Sequence, residues 1–162
     1  MQTFLPDSVF SICAKVLDGK RLNNQINEGL VILRTITGWY ERRDRKGWNK
    51  GHPAIKMWQG YTVALAEYVF EMIGEYEQRS GNRESVIRRV EKVEEVLIES
   101  DQYREWIEQT YPYPEWLGRV DLHLSHRKVL LAKNLEWYSR LWPDLEPAQL
   151  DQGKALPYVW PV

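Results

Sequence analysis

Arg21, Gln25 and Glu28 recur at i, i+4 and i+7 within residues 19–38, so on a helix they form one file. A carboxylate with a cation one or two turns away can be held ionised in a partly buried site. Asn23, Asn24 and Asn27 flank the file; asparagine is a poor helix former, so propensity does not explain them. Gly29 follows Glu28, and glycine inside a helix costs about 1 kcal/mol relative to alanine. That cost predicts a close approach to the backbone there. Spacing alone leaves open an ordinary polar face carrying an intrahelical ion-pair network.

A second concentration of chemistry lies in the loop 39–52. Between Arg34 and Lys56, seven basic residues (Arg34, Arg42, Arg43, Arg45, Lys46, Lys50, Lys56) face two acidic ones (Glu41, Asp44), a balance of +5. Trp39, Tyr40 and Trp48 are interleaved with them. Cations mixed with aromatic planes suit a surface that tracks phosphates and stacks bases, although an exposed basic loop without a ligand has the same composition. Residues 84–108 hold eight acidic and four basic side chains, a balance of −4. A molecule with a basic side and an acidic side is expected.

The histidines are His52, His123 and His126. His123 and His126 could share a helix face, but that pair alone does not make a metal site, and no metal or cofactor is expected. There is no glycine-rich phosphate loop and no nucleophile elbow.

Helices must position these groups. Leu22, Ile26, Leu30, Leu33 and Ile36 give residues 19–38 one apolar face, and Gly38 suits the position just past a helix end. Asp7 or Ser8 is expected to cap a shorter helix carrying Val9, Phe10, Ile12, Cys13, Val16 and Leu17. Pro53 opens a pattern that runs unbroken to about Gln78, a candidate central core helix ended by Ser80-Gly81. Asn82 can cap the next, with Val86, Val90, Val93 and Leu97 facing inward. Residues 111–118 read as a proline-set connection. Asp121 or Ser125 starts a helix through Lys133 that continues or restarts through Trp137, Tyr138 and Leu141. Residues 156–162, with two prolines and two aromatics, read as an extended strap. No stretch alternates as a strand would. The expected class is all-α: a compact single-domain helical bundle over 1–162 with an extended C-terminal strap.

The totals agree. The chain has 162 residues, 43% hydrophobic and 28% charged, with a formal charge of −1. That suits one soluble core and argues against a cation-coated, non-specific nucleic-acid binder. Eight tryptophans and nine tyrosines exceed ordinary core demand. A lone cysteine, Cys13, forms no internal disulfide and reads as a small core residue. No signal peptide and no span of roughly 20 apolar residues is visible, so a cytoplasmic monomer without membrane contact is the expectation.

Four blocks resemble one family: Met1-Gln-Thr-Phe-Leu-Pro; Val16-Leu-Asp-x-x-Arg-Leu-x-x-Gln-x-x-Glu28; His52-Pro-Ala-x-x-Met-Trp-x-Gly-Tyr61 with Leu65 and Tyr68; and Ser125-His-Arg-x-x-Leu-Leu-x-Lys133 with Trp137-Tyr138 and Leu156-Pro-Tyr-Val-Trp-Pro. Together they are similar to the pyrimidine dimer DNA glycosylases of the endonuclease V type, which incise ultraviolet-damaged DNA. Residues 82–115 match poorly and look like an elaboration.

The resemblance implies a mainly helical domain acting on double-stranded DNA, as a glycosylase with abasic-site lyase activity on pyrimidine dimers or a modified pyrimidine. It implies a Schiff base made by the chain's own α-amine, with a helix-borne glutamate, here Glu28, as acid/base. Residue 2 is Gln, whose bulk should keep Met1 in place, so Met1 would supply the amine. Arg21 and Gln25 would shape the pocket, and Arg42, Arg43, Arg45 and Lys46 would bind phosphates. His52, His126 and Arg127 would contact DNA or brace the site. Gln2, Asn24, Trp58 and Lys133 complete the candidate contacts. Basic residues of relatives are replaced here by Asn24, Ile26 and Asn27, so the loop 42–50 would take over part of the phosphate grip. The alternative is a DNA-binding protein of the same fold with absent or altered catalysis.

Overall fold

A computed structural model describes residues 2–150 and 156–161. Among them the chain is helical, with no strand: α1 (Phe10–Val16), α2 (Gly19–Ile36), α3 (Pro53–Lys56), α4 (Thr62–Ser80), α5 (Arg83–Ile98), α6 (Tyr103–Glu108), α7 (Val120–Lys133) and α8 (Leu135–Tyr138). The all-α class and the extended strap are as expected. Residues 156–161 run without helix, and Val159 N–H donates to Ser125 Oγ of α7 at 3.1 Å.

α2 starts where Asp18 Oδ1 accepts from Arg21 N–H at 3.0 Å, and the same carboxylate pairs with the Arg21 guanidinium. Burial of Asp18 opposes its ionisation, but the Arg21 amide and guanidinium hold its pKa below the usual carboxylate range. The helix ends at Thr37, and Gly38 follows in the left-handed region at φ 71°. Its apolar face lies mainly on α4, which also receives α1 and α5. Cys13 is fully buried, and burial pushes its thiol up to about 12. Asn82 caps α5 by accepting from Ser85 N–H at 3.0 Å.

Three elements depart from the periodicity. The expected Asp7 or Ser8 cap is displaced: Val9 occupies the N-cap of α1, and Asp7 Oδ1 accepts from Val9 N–H at 3.0 Å. The continuous helix over 53–78 is broken at residues 57–61, where Gly60 turns the chain at φ 84°. The break drops Met57 and Trp58 into the core and leaves Met57 O for the Trp116 indole N–H at 3.1 Å. Finally, α6 forms inside the acidic segment, and Gln102 ahead of it accepts from Thr62 N–H at 3.2 Å, closing the start of α4.

The close approach expected at Gly29 is real. A Cβ there would overlap the Val69 Cγ2 methyl of α4. Gly29→Ala should therefore lower stability by about 1–2 kcal/mol despite the better helix former, because overpacking outweighs propensity. Urea unfolding should show the loss, and Val69→Ala in the same chain should recover part of it.

Candidate active site

Residues 2–5 run extended and buried, without a sheet to satisfy their backbone. Side chains do so instead. Phe4 N–H donates to Gln25 Oε1 at 2.7 Å, and Leu5 N–H donates to His126 Nδ1 at 2.9 Å. Phe4 O accepts from Tyr68 Oη at 2.9 Å, and the Trp58 indole donates to Thr3 Oγ1 at 3.0 Å. His123 sits between Leu5 O at 2.8 Å and Leu117 O at 2.6 Å. At the head of the segment, Gln2 N–H donates to the Glu28 carboxylate.

Glu28 lies in an open cleft of about 590 Å³. Gln2, Arg21, Asn24, Gln25, His52 and Lys133, all sequence candidates, line it. Phe4, Lys20, Pro53, Leu156, Tyr158 and Trp160 complete the wall. Burial raises the Glu28 pKa, against the pull of the Gln2 amide and Lys133. Lys133 is pushed down by burial and by Arg21, against the opposite effect of Glu28. Arg21 Nη2 donates to Lys133 O at 3.0 Å, which fixes the guanidinium at the rim. His52 caps α3 by accepting from Ala54 N–H at 3.1 Å, and burial lowers its pKa. A carboxylate of raised pKa, cations at the mouth and an aromatic wall suit a phosphate-linked substrate with planar rings.

The strap residues are not among the sequence candidates. Their signal was present: Tyr158 and Trp160 belong to the last resembling block, and Tyr158 packs on Phe4 and His126 with ring centroids 6.2 and 5.1 Å apart. Met1 lies outside the described residues.

Several candidates hold other positions. Trp58 is fully buried, so it braces the N-terminal segment and cannot touch DNA. His126 is equally buried and also acts as a brace. Arg127 Nε donates to Pro6 O at 2.6 Å and supports the same segment. Arg42 and Arg43 are engaged within the chain. Arg43 pairs with Glu99 at 2.6 Å and Glu95 at 3.0 Å; Arg42 donates to Thr37 O at 2.7 Å and reaches Glu99 at 3.5 Å. The expected separation into a basic and an acidic side therefore fails, because the basic loop lies against acidic α5. Trp39 is not a free stacking plane: it is buried, with the Arg34 and Arg43 guanidinium carbons 4.3 and 4.0 Å from its ring centre. Arg45, Lys46 and Trp48 stay exposed.

A family model described as pyrimidine dimer DNA glycosylase matches residues 1–88, just over half of the 162. Neither the curated proteins nor the solved structures returned a match.

Burial holds the His126 pKa down at about 3, against about 6.5 when unfolded. The unfolded chain thus binds the extra proton between those values, so stability falls as pH drops through that window. This histidine should cost about 2 kcal/mol at pH 5 relative to pH 7. Urea midpoints at the two pH values should show that slope, and His126→Gln should flatten it.

Proposed function

The chain belongs to the pyrimidine dimer DNA glycosylase family, and from that premise we propose that it couples base excision to strand cleavage through an imine on its own α-amine. DNA is the substrate that the family implies. The observation that carries the finer reading is the hydrogen bond from Gln2 N–H to Glu28. Three covalent bonds separate the Met1 α-nitrogen from the Gln2 amide nitrogen, a reach of about 4 Å at most. The bond to Glu28 therefore supports an amine within reach of the carboxylate that would serve it.

An α-amine with a pKa near 7.7–8.0 is a usable nucleophile at neutral pH without burial. It would attack C1′ of the damaged nucleotide as the glycosidic bond breaks, and the base departs with the bonding pair and gains a proton. Loss of the amine's proton and opening of the sugar ring give the C1′ imine. Removal of a C2′ proton then expels the 3′ phosphate by β-elimination, and water releases the product. Glu28 would stabilise the cationic sugar and carry the protons, and burial brings its pKa toward the range where it can do both. Arg21, Lys20 and Lys133 would hold phosphates at the mouth, while Phe4, Tyr158 and Trp160 would receive a base drawn from the stack at a cost of a few kcal/mol. All 162 residues would serve this activity as one domain.

Borohydride should trap a covalent complex with duplex DNA carrying an abasic site or a thymine dimer. Acetylating the α-amine should abolish it; an adduct that survives, or none at all with unmodified protein, overturns the mechanism. Glu28→Gln should lower excision roughly 10²-fold or more while DNA affinity stays within about twofold, and retained excision would refute the role of Glu28.

A further inference from the structure

The acidic balance of residues 84–108 conceals a basic groove. Three of the four cations in that segment, Arg88, Arg89 and Lys92, line one concavity of about 280 Å³ between α5 and α2. With Ser85 they recur three and four residues apart, so they share the face of α5 that meets α2. Arg89 is preset: its guanidinium carbon lies 4.3 Å from the Tyr76 ring centre, and Nη2 donates to Asn23 Oδ1 at 2.6 Å. Its Nη1 is buried and unpartnered among the described residues. Arg88 faces Glu84 at 3.3 Å in a pair whose side chains are 62% and 82% exposed, which water screens.

The groove and the cleft are linked by shared lining residues. Asn27 lines it and also a small concavity with Glu28, Val31 and exposed Trp48. Glu28 in turn lines both that concavity and the main cleft. Three hollows therefore share walls along the outer side of α2. We infer that α5 supplies a second phosphate-binding subsite: the strand whose nucleotide enters the cleft passes Trp48 and lays a backbone phosphate against Arg88, Arg89 and Lys92. The inference rests on the DNA reading above. It also adds to it, because Arg89 and Lys92 lie beyond the residues that the family model matches.

Arg88 and Lys92 are exposed, so both can be changed without opening the core. The test measures anisotropy of a labelled duplex carrying an abasic-site analogue, bound by wild type and by the Arg88→Ala, Lys92→Ala double variant, between 50 and 200 mM salt. Removing two phosphate contacts should weaken binding roughly tenfold and make the slope of log affinity against log salt shallower by about 1.8. A Lys15→Ala, Arg140→Ala control removes the same charge from other exposed positions and should leave the slope in place. An unchanged slope in the groove variant, or an equal change in the control, overturns the subsite while the DNA reading stands. A wild type that binds no duplex overturns both, and is distinguished because the unaltered protein itself fails.

Discussion

The structure depends on one constraint: an extended, buried segment must find partners for its backbone without a sheet. Unpaired amides in the interior cost about 1–3 kcal/mol each, and residues 2–5 meet that demand with side chains from α2, α4 and α7. This explains why Gln25, His123 and His126, all polar, are buried. Gln25 is shared, because its Oε1 also lies 2.8 Å from Tyr68 Oη, whose one proton is divided between that oxygen and Phe4 O. One amide oxygen thus ties the N-terminal segment, α2 and α4 together, and the cleft inherits its shape from that junction.

Much of this was legible in the sequence. The apolar file of α2 and the Asn82 cap are local signals, and local physics decides them. The file of Arg21, Gln25 and Glu28 was visible too, but not how it divides. Gln25 turns its oxygen to the N-terminal segment, Arg21 pairs with Asp18 and Lys133 O, and Glu28 faces the cleft with its carboxylate held by a main-chain amide. Those partners come from elsewhere in the chain. The turn at 57–61 was hidden for a related reason: Met57, Trp58 and Tyr61 keep the helical period, and only Gly60 marks the bend. Trp58 matched a family block and was read as a contact, whereas it fills the core.

Charge shows the same limit. A sum along the chain assigns one sign to a segment, but a helix distributes its side chains around an axis. Glu95 of α5 and Glu99 at its C-terminal cap take Arg43, while Arg88, Arg89 and Lys92 gather toward α2. The loop that looked like the main phosphate surface gives Arg42 and Arg43 to internal pairs. Arg43 is further held against the Trp39 ring, leaving Arg45 and Lys46 exposed.

The anchoring of the first residues also bears on how the protein is made. Leu5 leaves the ribosome well before His126, which accepts its amide and emerges 121 residues later. Phe4 can find Gln25 early, so the segment is first tethered on one side only. A chain released before α7 has the helix that carries Glu28 but lacks the ring that holds Leu5 and the Lys133 edge of the cleft. Translation order thus delays completion of the cleft until Lys133 of α7 and the strap residues Leu156, Tyr158 and Trp160 have been made.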